Sequence, residues 1–161
     1  MDIEALKQDP EYKSNYNWHI NAANVEALQD SLIGRNAGYP QRLATLAMVI
    51  PENGGNTTSH GNGAHGLVGW RGDRAINLPK NFDGQAHKLM VELFDNPTGK
   101  DWTHGGKGTG VMSGREMYEL FNSTPNVNQA TNAIMKGYVR PEYDEHQKRI
   151  NFVQLLKKYM K

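Results

Sequence analysis

A single carboxylate followed by a glycine-rich stretch is the first feature of the sequence that could support chemistry. Glu52 closes an apolar run, and residues 53–72 contain no other Asp or Glu. A carboxyl group at the end of a buried helix is partly withdrawn from water, which favours its neutral, proton-carrying form. Such a group is what the cleavage of a glycosidic bond needs as its general acid. The alternative is a solvated glutamate at a frayed helix end.

The second candidate carboxylate is Asp73, directly after the glycine-rich stretch. Hydrolases that retain or invert configuration usually need two carboxyl groups, whose separation sets the stereochemical outcome. Arg71 and Arg74 flank Asp73 in sequence, so a structural ion pair competes with a catalytic role. If Asp73 is structural, a mechanism with Glu52 as its single acid is the more natural one.

Aromatic and imidazole side chains near these carboxylates are candidate binding groups. Trp70 and Trp102 could stack on sugar rings, although tryptophan is also suited to core packing, which is the favoured role for Trp70. His60, His65 and His104 lie in loops without the H-E-x-x-H spacing of a zinc site. We therefore expect no metal ion and no cofactor.

The elements that must position these residues are mostly helices. Apolar residues at helical spacing predict about six of them, with Asn24, Asp83 and Ser113 as candidate N-caps. The predicted helices cover residues 24–32, 39–52, 83–94, 113–121, 126–139 and 141–160. Residues 60–72 are short, partly apolar and interrupted by glycine, which favours a small β-hairpin. The predicted fold class is therefore mainly α (α+β).

Composition limits the class of protein further. The chain has 161 residues, a net charge of +1 and no cysteine. That size suits a single domain over residues 1–161, with residues 1–20 expected to form a poorly structured N-terminal extension. The absence of cysteine excludes disulfides and a thiol nucleophile, and the near-neutral charge argues against nucleic acid as the main partner. No membrane span and no secretory signal are expected.

Residues 52–70, ENGGNTTSHGNGAHGLVGW, closely resemble the signature of the lysozyme-like superfamily. In its lytic transglycosylase and goose-type branches, a glutamate precedes a polar stretch with serine and then G-A-x-G-L-M-Q. The matching positions here are Glu52, Ser59, Gly63, Ala64, Gly66 and Leu67. GLVGWRGDR is similar to a run of phage tail lysozymes, and so are the later segments GQAHKLMVELF and QATNAIMKGYVRPE, ahead of a last helix with Arg149. The resemblance covers residues 40–155.

The resemblance implies a lysozyme-like fold in which the hairpin lies beside an active-site groove. It also implies a peptidoglycan muramidase that cleaves the MurNAc–GlcNAc β-1,4 bond with Glu52 as general acid, by hydrolysis or as a lytic transglycosylase. The substrate-binding residues would be Ser59, His65, Gly66, Leu67, Trp70, Trp102 and Tyr138, and Tyr138 could reach Glu52 unless it packs in the core. Gly66 would let backbone approach the sugar, so its substitution should weaken binding more than stability.

The expected partner is bacterial cell-wall peptidoglycan, with other virion proteins as further partners. The protein would be phage-encoded, either in the virion or released from the host cytoplasm at lysis, and would act in the periplasm or cell wall. Gly69 stands where the family has glutamine, Asn53 where it usually has serine, and Pro51 precedes the glutamate. Gly69 keeps open a non-enzymatic alternative, in which a lysozyme-like domain binds glycan or serves as a structural part of the virion.

Overall fold

The computed structural model describes residues 1–59, 61, 63–97, 112–139 and 143–160, and this part of the chain is mainly helical. Its α-helices are α1 (Ile3–Gln8), α2 (Ala22–Gly34), α3 (Tyr39–Asn53), α4 (Phe82–Phe94), α5 (Gly114–Ser123), α6 (Val127–Ile134) and α7 (Tyr143–Leu156). Single π-helical turns occupy Tyr12–Tyr16 and Met135–Val139, and a 3-10 turn occupies Gly72–Ala75. The predicted mainly α class is confirmed. Within these residues, no helix is both long and apolar enough to cross a bilayer.

Helix α3 is the central element and carries Glu52 in its last turn. Every residue from Leu43 to Ile50 is buried, and the helix packs against α2, α6 and α7. Pro40 occupies the first turn, where its missing N–H costs nothing. Gly54 ends the helix in the left-handed conformation at φ 62°. The start and the end of α3 are therefore both set by local sequence.

Two of the three predicted N-caps are displaced. Helices α2 and α4 begin earlier than expected, because Asn21 accepts from the amide of Asn24 and Asn81 accepts from the amide of Gly84. The Ser113 cap of α5 is confirmed, since its hydroxyl accepts from the Glu116 amide at 3.2 Å. A capping side chain satisfies an amide that has no partner inside the helix, so any earlier Asn competes for the role.

The predicted regular hairpin at 60–72 is reduced to two isolated bridges in the described residues, Ser59 with His65 and His65 with Trp70. His65 and Trp70 exchange backbone hydrogen bonds at 3.0 and 2.8 Å. Glycines with positive φ recur between Gly61 and Gly72, and that conformation interrupts an extended strand. The segment is therefore a series of tight turns beside the end of α3.

The prediction that residues 1–20 form a poorly structured N-terminal extension is wrong. Ile3 and Leu6 on α1 are buried, and so is Tyr12, whose hydroxyl donates to the carbonyl of Trp18. Burial raises the pKa of Tyr12 to about 12, against the lowering effect of that hydrogen bond. Tyr12 also packs against Phe152 of α7, with ring centroids 6.3 Å apart. Few but correctly spaced apolar residues thus join this polar segment to the core.

Candidate active site

Glu52 is paired with a buried arginine from the last helix. Arg149 Nη2 lies 2.7 Å from Glu52 Oε1, and the exposed fraction of the side chain is 6% for Arg149 and 20% for Glu52. Helix α7 packs against α3, which brings together two residues that are 97 positions apart. Burial disfavours the charge of each side chain, and the close ion pair offsets that cost. The carboxylate of Glu52 therefore stays partly accessible to solvent.

The guanidinium of Arg149 contacts Glu52 through its Nη2 atom. In the described part of the chain, its buried Nε and Nη1 have no hydrogen-bond partner. His146 lies one turn earlier on α7, and its Nε2 is 3.1 Å from Asn132 Oδ1. Burial, together with the charges of Lys136 and Arg149, lowers the pKa of His146, which favours its neutral form. The guanidinium of Arg149 is therefore directed mainly at Glu52.

The chain leaves Glu52 along a fixed path. The side chain of Asn53 donates to the carbonyl of Thr58 at 2.9 Å and to that of Asn56 at 3.2 Å. A Cβ on Gly54 would lie 1.7 Å from the carbonyl oxygen of His19, so glycine is required by packing as well as by its φ of 62°. The loop after the glutamate is thus held by the fold, and this glycine serves the protein's own structure.

Ser59 and His65 form a polar pair on the turns that follow. Their Oγ and Nδ1 atoms lie 2.7 Å apart, with Ser59 exposed and His65 half-buried. An exposed hydroxyl hydrogen-bonded to an imidazole can both donate to and accept from a ligand hydroxyl. Of the predicted substrate-binding residues, these two present polar groups that are at least partly open to solvent.

Gly66 and Leu67 face inward instead. Both are buried, and the Leu67 amide donates to Oε1 of Gln85 on α4 at 3.0 Å. The Nε2 of Gln85 donates to the carbonyls of Thr57 and Pro79, at 3.0 and 2.8 Å. The buried side chain of Gln85 therefore connects three loop segments through hydrogen bonds, and Gly66 packs against it. The expectation that Gly66 approaches a sugar is corrected, because its close contact is with Gln85.

Gly66→Ala should destabilise the protein more than a matched substitution at Gly72. Both glycines have positive φ, 75° and 55°. A Cβ at Gly66 would lie 2.5 Å from Oε1 of Gln85, whereas a Cβ at Gly72 would meet none of the described residues within 4 Å. The left-handed conformation costs roughly 1–2 kcal/mol in each case, so urea denaturation should show a further loss for Gly66→Ala alone. Equal losses in the two variants would contradict the assigned contact.

A second, fully buried carboxylate forms a network behind these turns. Glu92 on α4 accepts hydrogen bonds from Trp70 Nε1 at 2.9 Å and from the Tyr138 hydroxyl at 2.7 Å. Its side chain is 5% exposed and forms ion pairs with Lys88 at 3.3 Å and Arg74 at 3.4 Å. Burial and the negative charge of Glu92 raise the pKa of Tyr138 well above its usual value, so the hydroxyl stays a donor.

This network corrects two expected binding roles. Tyr138 was expected either to reach Glu52 or to pack in the core; it is fully buried and its hydroxyl binds Glu92. Trp70 is 1% exposed, so its ring offers no open face for a sugar, and core packing is its role. Glu92 itself was not selected from sequence, although its spacing from Gln85 and Leu89 places it on the buried face of α4. The signal in the sequence that could have identified Glu92 is a charged residue on an otherwise apolar helical face.

Asp73 is exposed on the 3-10 turn. In the described part of the chain its carboxylate forms no ion pair with Arg71 or Arg74. The guanidinium of Arg74 instead contacts Glu92 and lies 4.7 Å from the centre of the Tyr138 ring. The expected salt bridge of Asp73 is therefore not formed, and a catalytic role for Asp73 stays a prediction.

Three residues named in the sequence analysis lie outside the described residues: Trp102, a candidate for sugar stacking, and the loop histidines His60 and His104. Among the residues that are described, no cluster of three or more His, Asp or Glu side chains could hold a metal ion.

Comparisons of this chain with protein-family models, with curated proteins and with solved structures give no match.

Proposed function

We propose that the protein is a lysozyme-like peptidoglycan muramidase that uses Glu52 as its general acid. The observation that carries the proposal is the partly exposed carboxylate at the end of the buried helix α3, held by the buried Arg149. The sequence resemblance over residues 52–70 supplies the substrate class, the MurNAc–GlcNAc β-1,4 bond. The proposal includes a phage origin, as a lysis or virion protein, with other virion proteins as further partners.

In the proposed reaction, the ion-paired carboxylate of Glu52 first takes up a proton, and it then gives this proton to the glycosidic oxygen as the bond from that oxygen to the sugar C1 breaks. Negative charge develops on the carboxylate as the proton leaves. Arg149 lies 2.7 Å away and stabilises that charge where it forms. The oxygen of the nucleophile, either a water molecule or the 6-hydroxyl of the same muramoyl residue, then bonds to C1 while its proton passes to the carboxylate of Glu52. Attack by water gives a reducing end, and attack by the 6-hydroxyl gives a 1,6-anhydro end.

Asp73→Asn should leave both stability and most of the turnover unchanged. The side chain is exposed and unpaired in the described part of the chain, and such surface substitutions change stability by no more than about 0.5 kcal/mol. Turnover of purified cell walls, compared with the melting temperature, checks this expectation. A folded Asp73→Asn protein without activity would instead identify Asp73 as the second catalytic carboxylate, because residues that act as a unit fail together.

The second candidate function is a non-catalytic glycan-binding or structural virion domain. The observation in its favour is the same ion pair, because a carboxylate that only ties α3 to α7 would also be buried and paired with arginine. Gly69 adds to this alternative, since the family's glutamine side chain is missing there.

A zymogram with purified cell walls separates the two candidates. The enzyme should clear the embedded walls at the position of the 161-residue chain. A folded protein that sediments with the walls but leaves them opaque would establish the non-catalytic alternative. Walls from more than one bacterial class should be included, so that a host mismatch is not read as inactivity.

A further inference from the structure

A concavity of about 630 Å³ lies between the N-terminal π turn and α7, and Glu52 is not among the residues that line it. Its volume is within the range of small-molecule binding sites, roughly 300–1,000 Å³. The two elements that form it are joined by the aromatic packing of Tyr16 against Phe152, with ring centroids 5.0 Å apart. The walls of the concavity are thus built on packed elements.

The lining is unusual in its chemistry, because most of it consists of primary amides. The amide side chains are Asn15, Gln147, Asn151 and Gln154. Gln147, Asn151 and Gln154 follow one another at helical spacing, so they share one face of α7. Each primary amide can both donate and accept, which matches the hydroxyl and acetamido groups of a sugar. Gln147 also donates to Asn151 at 3.0 Å, and this bond orders the row.

The remaining lining residues favour an uncharged ligand with an apolar ring face. Tyr16 forms an aromatic wall and packs on Trp18, with ring centroids 5.1 Å apart. The lining carries one charge of each sign, Glu11 and Lys148. Glu11 is 3.7 Å from Lys158, and the Lys148 ammonium lies 5.2 Å from the centre of the Trp18 ring. This balance does not suit a polyanion, which would need an excess of cations.

The N-terminal segment that carries Tyr16 and Trp18 continues from the concavity to the end of α3. Trp18 is followed by His19, whose carbonyl packs directly against Gly54, two residues after Glu52. On α7, Lys148 faces the concavity and its neighbour Arg149 holds Glu52. A polymer bound at both places would gain affinity that a short fragment could not, because the second contact becomes intramolecular.

We propose that this concavity is a carbohydrate-binding site, separate from Glu52, that holds a further stretch of the same glycan chain. The identity of the sugar rests on the proposed function. The amide row of α7 binds the polar substituents, and Tyr16 provides the surface for a ring face. The site retains the protein on its polymeric substrate.

The test uses the Glu52→Gln protein, which should bind without cutting, and isothermal titration with soluble, uncross-linked peptidoglycan strands. Adding Gln147→Ala and Asn151→Ala should weaken binding roughly tenfold, since each lost hydrogen bond carries a modest net value. Both residues are exposed on a helix and alanine favours the helix, so the fold should persist. The matched control adds Gln8→Ala and Asn122→Ala, exposed amides outside the concavity, and should bind like the parent.

Equal affinities of the concavity variant and the control variant would overturn this site, and so would a parent protein that does not bind the strands. The proposed muramidase activity fails separately, if the protein with Glu52 intact releases nothing from walls. In that case a selective loss of binding in the concavity variant would still establish the carbohydrate site.

Discussion

Glu52→Gln is expected to reduce the release of soluble fragments from purified cell walls by about 10²–10⁴-fold, the usual contribution of general acid catalysis. Glutamine keeps the shape of the side chain and can still accept a hydrogen bond from Arg149, but its amide has no acidic proton to transfer to the glycosidic oxygen. The decrease should appear as a slower maximal rate, with little change in the affinity for walls. Turbidity clearance over a range of wall concentrations measures both quantities.

The control for this prediction addresses stability, because Glu52→Gln leaves the buried guanidinium of Arg149 without a counter-charge. Removing one partner of a buried ion pair can cost about 3–5 kcal/mol. Adding Arg149→Met removes the stranded charge and should restore much of that stability without restoring activity. If the double variant regained wall clearance, or if folded Glu52→Gln kept more than roughly a tenth of the activity, Glu52 would not be the acid.

Glu92→Ala should lower the free energy of unfolding by about 3–5 kcal/mol. The substitution removes the acceptor of Trp70 Nε1 and of the Tyr138 hydroxyl, and both donors are buried. It also removes the carboxylate that Arg74 and Lys88 approach, at 3.4 and 3.3 Å. Urea denaturation of the purified protein gives the free energy of unfolding.

Two further variants sharpen this result. Glu119→Ala removes an exposed glutamate that also pairs with an arginine, and it should cost no more than about 0.5 kcal/mol. Glu92→Gln keeps the Oε1 acceptor that both donors share but removes the negative charge that Arg74 and Lys88 approach, so it should lie between the other variants. A Glu92→Ala protein as stable as Glu119→Ala would show that the network does not support the fold.

Local sequence was sufficient to predict the helices whose boundaries are set by their own residues. Helix α3 follows from an uninterrupted apolar run between Pro40 and Gly54, and the start of α5 follows from Ser113 and Glu116. The N-terminal segment was missed because its stability comes from distant contacts, such as Tyr12 with Phe152 of α7. Hydrophobic periodicity is weak over so few residues, and tertiary packing decides their structure.

In the candidate site, too, local sequence predicts some features and tertiary packing decides the others. Glu52 was identified from its position and from the residues that follow it, whereas its contact with Arg149 depends on how α7 packs against α3. Helical spacing anticipated the core packing of Tyr138, whereas the hydrogen bond from its hydroxyl to Glu92 depends on how the π turn at Met135–Val139 meets α4. Glu92 was overlooked because a buried charge can be explained only when its partners are known, and they come from three separate segments.

Mass spectrometry of the fragments released from purified walls by the unaltered protein tests the muramidase proposal most directly. The account predicts disaccharide-based muropeptides cut at the MurNAc–GlcNAc bond, ending in either a reducing or a 1,6-anhydro muramoyl residue, and their absence from a parallel digest with Glu52→Gln. Fragments cut at peptide or amide bonds, or the same muropeptides from the Glu52→Gln protein, would contradict it.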